Sequence, residues 1–220
     1  MSNDIILQHF AGELRDLDKL SIGNIQKYAE RIGVKYELVL GFPFRENLTP
    51  PCQKVVLIDE KYDEYDKVLM LDIDMFATRD LNTNVFEDEQ GIGLFVQTQM
   101  DLRNRLAGYG RIPFNGAYWG GSFYLMDRDT RVKLRSLIPQ NDDWMRLYNQ
   151  PYHYEDEGII SELYNKAKLP VKNIKRKWCQ CSFLPELEEG FIHIRTKITP
   201  QGPKRTKMEN YLGLVEKGIL

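Results

Sequence analysis

Apolar residues come in short blocks along this chain, and two periods run through them. Ile5-Ile6-Leu7 makes the first block and predicts a strand over 4–9, with His9-Phe10-Ala11-Gly12 as the loop at its carboxyl end. Between 18 and 31 the spacing becomes helical, with Ile25, Tyr28 and Ile32 recurring and Gly33 as a stop signal. Over 34–40, Val34, Tyr36, Leu38 and Leu40 fall on alternate positions, which predicts a strand with those four on one face, closed by Gly41-Phe42-Pro43. Pro50-Pro51-Cys52 opens a predicted helix with proline in its first turn and Val55, Ile58 and Tyr62 turned inward. Next comes Val68-Leu69-Met70-Leu71, an unbroken apolar run that stops at two carboxylates, Asp72 and Asp74. A run of that kind predicts a strand buried on both faces, as in the middle of an α/β sheet.

Strand, helix, strand, helix, strand is the order of right-handed crossover units and a parallel sheet. The expected fold class is therefore α/β, a mostly parallel central sheet flanked by helices. Downstream the pattern loosens. A short helix is predicted over 80–86, strands over 91–97 and 120–126, and helices over 129–138, 142–148 and 156–167. The polar stretch 99–114, with Arg103, Arg105 and Arg111, reads as a long surface loop, and long loops in compact domains are often functional. Gly120-Gly121 marks a close approach at the head of its strand. Phe191-Ile192-His193 predicts a late short strand, followed by a basic, proline-interrupted tail over 195–207. Residues 211–220 end on apolar positions that could continue into a further element.

Composition narrows the function. At 220 residues the chain is long enough for one substantial core, and a single domain is expected, with 1–97 as one half and 98–220 as the other. A net charge of -2 gives no basic field for nucleic acid. Cys52, Cys179 and Cys181 are too few for a disulfide framework, which fits a reducing, cytoplasmic compartment, and the Cys179-x-Cys181 pair lacks further ligands at zinc spacing. No apolar run approaches the length of a membrane span or a signal sequence.

The chemistry concentrates at the end of the apolar strand. Side chains alternate along a strand, so Asp72 and Asp74 are expected to point the same way. They stand at its carboxyl end, where ligands of open α/β sheets bind. Two convergent carboxylates suit a hard divalent cation that is also held by phosphates. A strand-ending Asx turn or a helix N-cap is the plainer alternative for the same pair.

Tyr65 to Asp74, with Asp80-Leu81 just beyond, resembles the D-x-D region of nucleotide-sugar glycosyltransferases of the GT-A fold, and in particular the glycogenin-like group. Three further stretches follow in the order that group requires. Tyr28-Ala29-Glu30-Arg31 with Tyr36 is similar to its first helix and second strand, and Trp119-Gly120-Gly121-Ser122-Phe123-Tyr124-Leu125-Met126 to its later strand. Asp156-Glu157-Gly158-Ile159-Ile160 is similar to an Asp-Gln-Gly-apolar-apolar helix start near the reacting sugar, with Glu157 standing in place of Gln. The resemblance extends to about His193. Chain size also resembles that of the small glycosyltransferases of large algal viruses.

The resemblance implies a single GT-A (Rossmann-like) domain whose first half binds the nucleotide and whose second half binds the acceptor. It implies a metal site at Asp72, Asp74 and His193 holding Mn²⁺ or Mg²⁺, and carboxylates at the reacting carbon from Asp156 and Glu157. His9, Phe10, Ala11 and Ile73 would contact the nucleotide, and Lys197 the diphosphate, with Arg195 or Lys204 as substitutes because the usual His-x-x-Gly-x-x-Lys-Pro-Trp run is missing. His153 is a further metal candidate, and Tyr118 and Trp119 could stack on a sugar. The donor implied is a UDP-sugar and the acceptor a glycan or glycoprotein, with retention. Two alternatives share parts of this pattern. One is a haloacid-dehalogenase-like phosphohydrolase with Asp72 as nucleophile; Met75 after its second Asp and the polar setting of Asp142-Asp143 fit it poorly. The other is a non-catalytic sugar-binding domain on the same fold.

Overall fold

A computed structural model describes residues 2–89, 93–96, 119–141, 144, 155–170, 172–196 and 205–220. The first three strands are β1 (Asp4–Phe10), β2 (Lys35–Leu40) and β3 (Lys67–Leu71), with helix α1 (Asp16–Ile32) joining β1 to β2. β1 pairs in parallel with β2 on one side and β3 on the other, as the crossover order predicts. The sheet continues with β5 (Gly93–Val96), β6 (Trp119–Asp127) and β7 (Lys172–Asn173), in the order β2-β1-β3-β6-β5-β7. β5 and β7 pair in parallel, while β6 runs antiparallel to both of its neighbours. Reversal of β6 sets the head of that strand beside the end of β3, where the amide of Asp72 donates to the Ser122 carbonyl at 3.1 Å. A second, small sheet joins β4 (Met75–Ala77), β9 (Phe191–His193) and β8 (Gln180–Cys181).

The unbroken apolar runs have the consequence expected of them. Ile5, Leu7, Val68, Met70, Tyr124 and Met126 face one core cluster, which also takes in Ile159, Ile160 and Leu163 of helix α4 (Glu155–Ala167). Ile6, Leu69, Leu71, Phe123 and Leu125 face the other, with Ile25, Tyr28 and Ala29 of α1. Both faces of the central strands are thus covered, and each fully buried large apolar side chain contributes about 1.5–3 kcal/mol. Helix α1 stops where it was expected to, with Gly33 in the left-handed region at φ 73°. The short helices α2 (Val85–Asp88) and α3 (Arg128–Arg135) complete this part of the chain.

Three expectations change. Residues 50–58 form a 3₁₀ segment (Pro50–Ile58) rather than an α-helix, and every side chain from Cys52 to Ile58 is buried instead of a single stripe. Its two leading prolines bring no amide donors to the first turn. On β2, Val39 packs into the first cluster and Tyr36, like Val34 before it, against the second, while Leu40 is 60% exposed on this edge strand, so the four alternate residues do not share one buried face. The helix expected over 80–86 is confined to Val85–Asp88. Where no element was expected, the end of the tail and the residues beyond it form helix α5 (Lys207–Glu216), whose Leu214 and Tyr211 pack with Phe76 and Ile192 in a third cluster. The expected loop over 99–114 and helix over 142–148 lie outside the described residues, apart from Trp144, which is buried. No helix among the described residues is long and apolar enough to cross a membrane.

Candidate active site

The carboxyl ends of β1 and β3 open into a cleft of about 280 Å³. His9, Phe10 and Ala11 line it from β1 and the loop behind it, and Asp72, Ile73 and Asp74 from the turn that follows β3. Gly121 comes from β6, Lys54 from the 3₁₀ segment and Asp156 and Glu157 from the start of α4. Arg15, at the N-cap of α1, Lys207, the first residue of α5, and Pro50 and Pro51 complete the wall.

Asp72 and Asp74 converge, though not by strand alternation. β3 ends at Leu71, and the amide of Met75 donates to the Asp72 carbonyl at 3.1 Å, closing a turn that carries both carboxylates. β9 then brings a third group. Met75 pairs with His193, and the amide of Ile194 donates to the Asp74 carbonyl at 2.9 Å. His193 Nε2 thereby lies 3.1 Å from Asp74 Oδ1 and 3.8 Å from Asp72 Oδ2. One ligand atom from each of the three residues falls within 4.8 Å of the others.

The opposite oxygens of the two aspartates are held by lysines. Lys54 Nζ is 2.5 Å from Asp72 Oδ1 and Lys207 Nζ contacts Asp74 Oδ2. Each carboxylate is therefore anchored by one oxygen and offers the other to the His193 side. That donor set, two carboxylate oxygens and an imidazole nitrogen with open space beside them, fits a divalent cation.

Lys54 also ties this cluster to the second pair of acids. Its ammonium lies 2.7 Å from Asp156 Oδ2 and donates to the Gly121 carbonyl at 2.7 Å. Tyr124 donates to the same Asp156 oxygen at 2.9 Å, and the Gly121 amide donates to Glu157 Oε1 at 2.8 Å. The close approach expected at Gly120-Gly121 is real at Gly121. A β-carbon there would stand 2.6 Å from Asp156 Oδ2 and 2.8 Å from Glu157 Cγ.

Burial and neighbours divide these groups electrically. Burial opposes charge on Asp74, but His193 and Lys207 outweigh it and hold the carboxyl below the usual range. Burial likewise opposes charge on Lys54, and Asp156 and Asp72 reverse that, keeping the ammonium charged. Glu157 goes the other way: burial, and then the adjacent Asp156, push it up to about 8. Burial also raises Asp156, so the site at neutral pH combines an ionised Asp74 with a largely protonated Glu157.

Asp72, Asp74 and His193 of the expected residues meet in one cluster that could hold a cation, and His9, Phe10, Ala11, Ile73, Asp156 and Glu157 share the cleft. Phe10 is partly exposed there rather than core. Arg195 does not line the cleft; its Nε donates to His193 Nδ1 at 3.2 Å, a bond that has to open, with the proton on Nδ1, for Nε2 to face a cation. Lys197, Lys204, His153 and Tyr118 lie outside the described residues. Cys179 is free and buried, 3.2 Å from Ser122 Oγ. Sequence reading missed Lys54, Lys207 and Arg15. For Lys54 a signal existed, a cation directly before the apolar run Val55-Val56-Leu57-Ile58; Lys207 carried none.

Comparison with solved structures places this architecture. A glycosyltransferase involved in the glycosylation of the major capsid of PBCV-1 superimposes with a TM-score of 0.62 at 12% identity, over 97% of this chain and 99% of that one. The fold is GT-A. The galactosyltransferase LgtC, solved with donor and acceptor sugar analogs, superimposes with a TM-score of 0.56 at 12% identity, covering 86% of each chain. An active-site mutant of LgtC gives 0.60 at 14% identity, over 97% of this chain and 95% of that one. No protein-family profile and no curated protein matches the chain in sequence. At such identities it is the GT-A fold that is shared, and the chemistry has to be argued from the cleft.

Proposed function

We propose that this chain is a metal-dependent glycosyltransferase that moves a sugar from a nucleotide-diphosphate donor, a UDP-sugar, to a hydroxyl of a glycan or glycoprotein acceptor, with retention. The observation that carries the reading is the convergence of Asp72, Asp74 and His193 in the cleft that also holds Asp156 and Glu157. Asp72 Oδ2, Asp74 Oδ1 and His193 Nε2 would hold Mn²⁺ or Mg²⁺. When bound, that ion supplies Lewis-acid stabilisation to the diphosphate oxygens on which charge grows.

The chain's own residues account for the rest. His9, Phe10, Ala11 and Ile73 form the nucleotide wall on the β1 side, in the first half of the chain. Lys207 and Arg15 stand at the rim beside Asp74, where their charges favour a diphosphate, and Lys197 remains a candidate for the same task. Gly121 lets Asp156 and Glu157 pack directly against β6, in space that any side chain would take from them. Asp156, oriented by Lys54 and Tyr124, presents a carboxylate to the positive charge that develops on the anomeric carbon. In a retaining transfer the acceptor hydroxyl approaches on the leaving-group face. Its oxygen bonds to the anomeric carbon as the bond to the diphosphate breaks, and its proton leaves with the diphosphate. The phosphohydrolase alternative recedes, since its fold is not the one found and Asp72 Oδ1 is engaged by Lys54.

Calorimetric titration of UDP, with and without Mn²⁺, tests this on the wild type and on Asp74→Ala. Binding that needs Mn²⁺ and is lost in Asp74→Ala is the expected result. Absence of UDP binding under any metal would sink the UDP-sugar reading.

A further inference from the structure

Helix α1 reaches the chain beyond the carboxylates through a row of polar side chains. Ser21, Asn24, Tyr28 and Arg31 are spaced to share one helix face, and each grips backbone between 75 and 85. Ser21 Oγ donates to the Met75 carbonyl at 2.6 Å. Asn24 donates to the Ala77 carbonyl at 3.0 Å and accepts from its amide at 2.6 Å. Tyr28 donates to the Thr83 carbonyl at 2.9 Å, and Arg31 to that of Leu81 at 2.7 Å.

The first of these grips is tied into the sheet. Gln8 Nε2 donates both to Ser21 Oγ at 3.0 Å and to the Asp72 carbonyl at 3.1 Å. Gln8 Oε1 accepts from the Tyr36 hydroxyl at 2.9 Å. Gln8 and Ser21 are both wholly buried. Both amide donors of Gln8 are used and its oxygen is taken, so the direction of every bond in the relay is set. Well-packed apolar residues could fill the same space at little or no loss of stability, so packing alone does not account for these groups. What the relay does reach is the pair of carbonyls, Asp72 and Met75, at the two ends of the turn that carries both carboxylates.

We infer that Gln8, Ser21 and Tyr36 are positioning residues that preset the 72–75 turn so that Asp72 and Asp74 meet a divalent cation without rearrangement. This rests on the cation reading proposed above. Groups behind a metal's ligands typically change its affinity by about 10–100-fold when removed.

Mn²⁺ affinity, read by calorimetry and by electron paramagnetic resonance, tests it in Gln8→Met, Ser21→Ala and Tyr36→Phe, with melting temperature followed in the absence of metal. Asn24→Ala is the comparison, because it removes two hydrogen bonds between the same helix and the same segment but at Ala77, outside the turn. Gln8→Met and Ser21→Ala are expected to weaken Mn²⁺ binding about 10-fold or more, Tyr36→Phe less so, and Asn24→Ala to lower the melting temperature without changing Mn²⁺ affinity. Should Gln8→Met not fold, the other two variants carry the test. Unchanged affinity in the relay variants, or equal weakening in Asn24→Ala, overturns the inference while leaving the cation site standing. A wild type that binds no Mn²⁺ overturns both.

Discussion

Glu157 and Lys54 are neighbours in the cleft with opposite electrical fates. Glu157 is driven towards its neutral form, from an ordinary 4.5 to about 8, by burial and then by Asp156. A raised acid favours folding fully below its unfolded value, and that contribution is lost as pH rises towards 8. Glu157→Gln, neutral throughout, should therefore melt close to wild type near pH 5 and increasingly above it up to about pH 8, by roughly 2–4 °C for each kcal/mol recovered. Wild type gaining on the variant at alkaline pH would contradict the assigned environment. Lys54 is the only ammonium contacting Asp72 and Asp156 among the described residues. Removing one partner of a buried pair leaves uncompensated charge, so Lys54→Met should cost about 3–5 kcal/mol in chemical denaturation. Part of that loss should return at low pH, where Asp156 takes up a proton. Of these two residues sequence reading reached only Glu157, because the acid sits in a recognisable string, whereas Lys54 acquires its partners from three elements distant in the chain.

At the scale of elements, α5 shows how a segment with no catalytic motif enters the site. Its first turn is closed by a reciprocal cap in which Thr206 Oγ1 accepts from the Glu209 amide at 3.2 Å and Glu209 Oε2 from the Thr206 amide at 2.7 Å. Leu214 and Tyr211 anchor the helix against β4 and β9, the strands that carry the chain past Asp74 and deliver His193. Lys207 is thereby aimed at Asp74 from a rigid base. Thr206→Ala should cost about 1 kcal/mol of stability and loosen Lys207, lowering affinity for UDP more than affinity for Mn²⁺ alone. Equal loss in both titrations would show that the helix acts on the whole turn and not through Lys207. The cap string Thr206-x-x-Glu209 was readable in advance as a helix start; its place beside Asp74 was not, since nothing local couples residue 207 to residue 74.

For the molecule as a whole, the proposed cation site joins parts of the chain more than 100 residues apart, from the turn after β3 to His193 on β9. A ligand that binds only the folded state stabilises it in proportion to the logarithm of its concentration, about 2.7 kcal/mol at 100 times its Kd. Mn²⁺ should accordingly raise the melting temperature by roughly 5–10 °C under those conditions, reversibly on adding EDTA, and His193→Ala should abolish the shift. No shift in the wild type with millimolar Mn²⁺ would remove the cation from the account.

Three things followed from the sequence by itself: buried strands over 4–9 and at Val68–Leu71, the crossover order that makes β1, β2 and β3 parallel, and a pair of carboxylates at a strand end. Each depends on contacts within a few residues or on a regular period, and local physics is enough to specify it. Tertiary structure decided the antiparallel placement of β6, the 3₁₀ form of the Pro50–Ile58 segment, the exposure of Leu40 on β2 and the two lysines that anchor the aspartates. Those outcomes depend on which surfaces remain to be covered once the central sheet exists, and on charges that find one another only after the chain has closed. The carboxylates could be read from the chain; the company they keep is a property of the fold.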